Sequence, residues 1–259
     1  MVKLKKYNGF LKLFVIFLTF LFTLSCSRKN YHLEKIEGKQ LPITEKNNQT
    51  PEIENFIKPY RDHINKDLDS VLAYCPETLD KSIGKWQTNI GNLIADVCLQ
   101  KGNQIFKIRE KKDIDLCLLN HGGIRAILPK GNVTTRTAFE IMPFENNLVV
   151  LALKGDQILE MASEIIKQKK AHPLAGMTFT ISKDNTAKNI QIQGKPLDIT
   201  KTYYVATNDY LANGGDSMIF FLKASQKYDL NYKLRNVLID YFKEIDTIPI
   251  PKDIRITEE

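Results

Sequence analysis

The sequence predicts an α+β fold: a single domain whose mixed β-sheet is flanked by helices. Strand-like runs and amphipathic helical segments are intermixed without the regular alternation of a parallel α/β protein. The 259 residues are 43% hydrophobic, enough for one sizeable core. No internal repeat divides them.

The N-terminus stands apart. Lys3, Lys5, Lys6 and Lys12 form a basic region, and Leu13 to Leu24 is an almost unbroken apolar run. The run is short for a membrane span and reads as an export signal over residues 1–25. It closes at Thr23-Leu-Ser-Cys26, which resembles a bacterial lipobox with Thr23 where Leu is usual. The resemblance implies cleavage, acylation of Cys26 and a lipoprotein anchored in the bacterial cell envelope. Residues 26–51 are polar and aperiodic and read as a flexible tether. The folded domain is expected over residues 52–259.

Within that domain, Ile53, Phe56, Ile57, Tyr60 and Ile64 recur at helical spacing, with Pro59 expected at a kink or break. Val71 to Tyr74 reads as a strand. Thr88 is an N-cap before a helix of about twelve residues carrying Ile90, Leu93, Ile94, Val97 and Leu99. Asp115 to Leu119 reads as a short buried strand. Thr134-Thr135 caps a short helix, Arg136 to Met142. Asn147 to Lys154 alternates as a strand and Gly155 to Gln168 is an amphipathic helix. Met177 to Ser182, Lys188 to Ile192 and Thr202 to Ala206 read as strands, Leu230 to Ile245 as a closing helix, and Ile254 to Ile256 as a last strand.

Charge and cysteines exclude several functions. The formal charge of +7 owes four lysines to the export signal; without it 33 basic residues face 30 acidic. No Lys/Arg stripe interleaved with aromatics suggests a nucleic-acid partner. Cys75, Cys98 and Cys117 match no zinc spacing, and Cys98 and Cys117 sit in apolar contexts as core residues.

Two loops carry the chemistry. Asn120-His-Gly-Gly-Ile-Arg125 and Asn208-Asp-Tyr-Leu-Ala-Asn-Gly-Gly-Asp216 each follow an apolar strand and turn through paired glycines, Gly122-Gly123 and Gly214-Gly215. Paired glycines permit positive φ and close approach of a ligand. Asn120, Arg125, Asn213 and Asp216 are the polar groups they carry, a small-molecule pocket in prospect.

Four segments, in order, resemble the C-terminal domain of 5′-nucleotidases, the family that includes UDP-sugar hydrolases. Asn89-Ile-Gly-Asn-Leu-Ile-Ala-Asp96 is similar to its "N-x-G-N-L-x-x-D" helix start, and Asn120 to Arg125 to its "N-x-G-G-I-R" loop. Pro143-Phe144 with Leu148 to Gly155 resembles its "P-F … L-x-G" segment, and Asn208 to Asp216 its "N-x-F-L-A-x-G-G-D" loop. Taken alone, Phe144 and Tyr210 read as core aromatics and Arg125 as half of a surface ion pair; the ordered motifs reverse that. The resemblance implies a nucleotide or nucleoside ligand, its base stacked between Phe144 and Tyr210 and its ribose held by Asp216. Asn120 and Arg125 then face the ribose and phosphate, where a guanidinium donates two parallel hydrogen bonds. A further family Arg falls at Gly84, for which Lys85 is the expected substitute.

The family's catalytic half is missing from the sequence. A two-metal centre needs a cluster of Asp, His and Asn ligands, and the chain has only His32, His63, His121 and His172. The "G-N-H-[DE]" metal motif, a P-loop and a nucleophile elbow are all lacking. The expectation is therefore a recognition subunit without catalytic or metal-binding residues, with two divalent metals on a separate metallophosphatase chain. A stand-alone surface nucleoside- or nucleotide-binding lipoprotein is the alternative.

Overall fold

The computed structural model describes residues 4–23, 33–44 and 50–259. The chain forms two compact units, Met1–Pro51 and Glu52–Glu259. In the first, α1 (Leu4–Thr23) is helical and residues 33–44 are exposed without regular structure. No described helix is long and apolar enough to cross a membrane. Cys26, the expected lipid attachment site, lies outside the described residues, as do residues 27–32 and 45–49 of the expected tether.

The second unit opens with α2 (Pro51–Leu68), which runs through Pro59 without a break. None of its residues is buried, so water can reach the carbonyl that proline leaves without a donor. Its apolar stripe, Ile53, Phe56, Ile57, Tyr60 and Ile64, is exposed throughout. Its C-terminal end is tied down: Arg136 donates to Asn65 at 2.9 Å and to Asp69, just past the helix, at 2.7 Å.

β1 (Val71–Cys75) pairs antiparallel with β3 (Gly131–Thr134). Between them lie α3 (Asn89–Glu110) and β2 (Leu116–Leu118). Thr88 caps α3 as expected, its hydroxyl accepting from the Gly91 N–H at 3.0 Å. The helix is 22 residues long, well beyond the twelve expected. Gly102 is internal to it: a Cβ there would lie 3.0 Å from the Leu148 side chain. Glycine thus lets α3 press against the sheet.

Next come α4 (Thr135–Ile141), capped reciprocally by Thr134 and Thr137, then β4 (Asn147–Lys154) and α5 (Gly155–Gln168). Short strands β5 (Leu174–Ala175), β6 (Met177–Ile181), β7 (Ala187–Ile192) and β8 (Lys195–Pro196) follow. The chain ends with β9 (Thr202–Asn208), α6 (Asp209–Ala212), β10 (Gln226–Lys233), α7 (Leu234–Glu244) and β11 (Ile256–Glu258). The closing helix is thus shorter than the Leu230 to Ile245 expected, because Leu230 to Lys233 belongs to β10. That strand pairs with β4 through an irregular register between Asp229 and Tyr232, and the bulge hides its two-residue period.

The central sheet has the order β10-β4-β9-β2-β5 and is mixed, with β2 parallel to β9. A four-stranded sheet, β11-β6-β7-β8, is mixed too, since β11 runs parallel to β6. β4 shows why the central sheet is buried on both faces. Leu148 and Val150 join the core that α3 and α7 build, while Val149, Leu151 and Leu153 join the core built with α5. Alternate side chains of a strand point to opposite faces.

Candidate functional site

Strand direction brings the site together. β2 and β9 are adjacent and parallel, with Cys117 opposite Ala206, so both glycine loops leave the sheet at the same end. β4 runs antiparallel beside β9, with Leu148 opposite Asn208, so the loop entering β4 reaches that end as well. Three loops, carrying Asn120, Phe144 and Tyr210, therefore converge beyond the carboxyl ends of the parallel pair, where open α/β sheets bind ligands.

The first loop is fixed by its own asparagine. Asn120 is 8% exposed, and its Oδ1 accepts from Asn208 Nδ2 at 2.8 Å. Asn208 in turn caps α6, its Oδ1 accepting from the Leu211 N–H at 2.7 Å. The two expected loops are thus joined through their first residues. A Cβ on Gly123 would meet Asn120 Oδ1 at 3.0 Å, which accounts for one glycine of that pair.

In the second loop, Gly214 has φ +84° and Asp216 φ 50°, both left-handed. A Cβ on Gly215 would lie 2.6 Å from the Tyr210 ring, so only glycine lets the ring lie against this backbone. The Tyr210 hydroxyl donates to Asp216 Oδ1 at 3.0 Å and accepts from the Asp216 N–H at 3.2 Å. Asn213 accepts from Lys227 instead and is not at the pocket.

The third loop is gripped by α7 and the residue before it. Arg235 donates to Glu145 and to the Pro143 carbonyl, and Lys233 donates to the Glu145 carbonyl at 2.7 Å. Hydrogen bonding from Arg235 lowers the Glu145 pKa. Phe144, between those anchors, stays 45% exposed, as does Tyr210. Each ring therefore keeps close to half of its surface open, although Gly215 covers one side of Tyr210 and the Arg125 guanidinium stands near Phe144.

That cavity, about 280 Å³, is lined by Asn120, Gly122, Phe144, Asn146, Tyr210 and Asp216. Four of the expected site side chains therefore meet. Arg125 stands at the rim, its guanidinium 5.8 Å from the centre of the Phe144 ring and donating to the Gly122 carbonyl at 3.3 Å. Lys85 does not substitute for the missing arginine: it forms an ion pair with Glu258 at 2.6 Å. Lys81 takes the place beside Arg125, its ammonium donating to the Ile124 carbonyl. Its pKa is lowered, first by burial and then by the neighbouring Arg125 charge. Among the described residues, neither cation forms a salt bridge, although the neighbouring Asp80 charge partly opposes the lowering at Lys81.

Sequence reasoning missed Asn146, Lys81 and His172. His172 lies in the loop between α5 and β5 but is only 2% exposed. Its pKa falls from 6.5 to about 4, chiefly through burial, with the Asp216 charge opposing and His121 and Lys170 reinforcing. The folded state thus holds His172 neutral while the unfolded chain protonates it. Stability is full above pH 6.5 and falls as pH drops from 6.5 toward 4, by at most about 3 kcal/mol. Urea midpoints at pH 7 and pH 4 are expected to differ less in His172→Gln than in the parent; equal slopes would refute this.

The described residues contain no group of three or more His, Cys, Asp or Glu placed to hold a metal ion. They do not fit a two-metal phosphatase centre. Cys75, Cys98 and Cys117 are free and buried.

Comparison with known proteins places the chain among nucleotide-hydrolysing relatives in sequence and in fold. Over 229 residues, 82% of its length, the chain is 28% identical to the trifunctional nucleotide phosphoesterase protein YfkN of Bacillus subtilis, covering 15% of that protein. It is 26% identical over 193 residues to the protein UshA of Yersinia enterocolitica, with 71% and 33% of the two chains covered. The fold matches a 5′-nucleotidase precursor from Thermus thermophilus at TM-score 0.67 and 25% identity, covering 79% of this chain and 42% of that one. The chain thus spans less than half of each of these relatives. Residues 76–223, more than half of the 259, match the family described as 5′-nucleotidase, C-terminal domain. They contain all three loops that build the cavity, and the chain belongs to that family.

Proposed function

We propose that this chain is the nucleotide-recognition subunit of a 5′-nucleotidase-type phosphomonoester hydrolase, exported and held on the bacterial envelope through lipid on Cys26. The base stacks between Phe144 and Tyr210, and Asp216 accepts from the ribose hydroxyls. Arg125 and Lys81 face the phosphate. A separate metallophosphatase chain supplies the two metals and the hydrolytic step. The observation that carries the reading is the cavity itself: two half-exposed rings beside a carboxylate, in a family whose relatives are named for nucleotide hydrolysis. The exposed apolar stripe of α2, just ahead of the family segment, supports a docked second chain.

Calorimetric titration with AMP and adenosine tests the ligand. Saturable binding of both is expected, with AMP the tighter. Lys81→Ala is expected to weaken AMP by about tenfold while leaving adenosine unchanged, the loss of one charge-assisted hydrogen bond. Equal loss for both ligands would remove Lys81 from the phosphate. Stoichiometric mixing with a metallophosphatase chain is expected to raise that chain's turnover or nucleotide affinity. If neither changes, the chain is instead a stand-alone nucleotide-binding lipoprotein.

A further inference from the structure

A chain of hydrogen bonds outside the cavity connects the two glycine loops. The His121 N–H, in the first loop, donates to His172 Nδ1 at 3.3 Å. An accepting Nδ1 leaves the proton of a neutral imidazole on Nε2, which faces Gln168 Oε1 at 3.0 Å. Gln168, the last residue of α5, then presents its amide nitrogen to the Asp216 carbonyl at 2.8 Å and to Glu164 Oε1 at 3.0 Å. Each link sets the next: the imidazole tautomer fixes which way the Gln168 amide faces, and that amide holds the backbone of Asp216.

Asp216 needs such a hold. It and Ser217 occupy successive left-handed conformations, φ 50° and 60°, which non-glycine residues adopt only when their surroundings impose them. The Tyr210 hydroxyl restrains the side chain and N–H of Asp216, and Gln168 restrains its carbonyl. His172 is buried beneath both loops, and Ala171 O lies 3.1 Å from the His121 ring, a second tie between the same segments.

We propose that Gln168 and His172 are positioning residues for ligand recognition, a relay that aims the Asp216 carboxylate by locking its loop to the Asn120 loop. Neither side chain lines the cavity, so the relay acts through Asp216. Its ligand readout rests on the nucleotide-recognition reading; its structural readout does not.

The test uses the full chain and the variants Gln168→Ala, Asp216→Ala and their double. Gln168→Ala is expected to weaken adenosine by about tenfold. It should leave 2′,3′-dideoxyadenosine, which lacks the 2′ and 3′ hydroxyls, unaffected. The double variant should bind adenosine no worse than Asp216→Ala alone, because contacting residues in one network are not additive. Amide exchange at residues 214–218 should quicken by about tenfold in Gln168→Ala while the α5 interior is unchanged. Gln168→Glu keeps the acceptor for His172 but loses the donor to Asp216, and is expected to behave as Gln168→Ala does. Unchanged exchange at 214–218, additive losses, or equal losses for both nucleosides would overturn the relay. If the parent binds neither nucleoside, the nucleotide reading fails, and the exchange rates still decide the relay.

Discussion

Asp216→Ala is expected to lower affinity for AMP and adenosine alike by roughly 100-fold, the loss of two charge-assisted hydrogen bonds. The carboxylate is preorganised, because Tyr210 and the left-handed backbone already fix it before a ligand arrives, so little ordering entropy offsets its bonds. Asp216→Asn keeps the shape and an acceptor for the Tyr210 hydroxyl but loses the charge, and is expected to fall about tenfold. Tyr210→Phe retains the stacking face and frees Asp216 from only one restraint, so a loss of about threefold is expected. Phe144→Ala removes one of two stacking surfaces, worth about 1–3 kcal/mol, and should weaken every base-bearing ligand. Calorimetry on this series ranks the contributions. Binding by Asp216→Ala within twofold of the parent would take the ribose away from this carboxylate.

The site was legible in the sequence where chemistry and backbone constraint coincide. Gly215 is needed because the Tyr210 ring occupies the space of its Cβ, and Gly123 is favoured because a Cβ there would crowd Asn120 Oδ1 at 3.0 Å. Such glycines sit beside the polar groups they serve, so a local reading finds both. β4 and α5 were read to their observed limits. β4 does not alternate in burial as expected but is a run of aliphatic residues buried on both faces; α5 is an amphipathic helix opening at Gly155, where a Cβ would strike the Asp198 carbonyl at 2.2 Å.

What escaped depends on distant partners. β10 is strand because β4 offers it an edge, and its bulge erases the periodicity that a local reading needs. Lys81 and Lys85 are both lysines in one loop; only the fold sends one to Ile124 and the other to Glu258. His172 precedes a proline in a polar stretch and carries no local sign of burial, since what buries it comes from the Asn120 and Asp216 loops and α5.

The Asp of the "N-x-G-N-L-x-x-D" motif leads to the second large effect. Asp96 does not reach the cavity; it accepts from Arg255 Nη2 at 2.6 Å. Arg255 is 5% exposed and also donates to Asp253 Oδ2 at 2.6 Å and to the Leu174 carbonyl. Burial disfavours its charge, but the two carboxylates more than compensate and its pKa is raised. Burial also raises the Asp96 pKa, whereas Arg255 lowers that of Asp253. Arg255, just before the last strand, thereby clamps the chain end to α3 and to β5. Both carboxylates are about half exposed, so each ion pair contributes at most about 1 kcal/mol. The larger share is the buried Leu174 carbonyl left without its donor and the space vacated by the arginine stem. Arg255→Ala is therefore expected to destabilise the fold by about 3 kcal/mol, lowering Tm by roughly 6–12 °C. Asp253→Asn is expected to lower stability by less than about 1 kcal/mol. Thermal and urea unfolding of the two variants separate the causes. Equal losses would mean that charge pairing, not the buried carbonyl and the packing, holds the chain end. Adenosine affinity measured well below Tm should be unchanged in Asp253→Asn, because the cavity is walled by the three loops and not by the terminal strand.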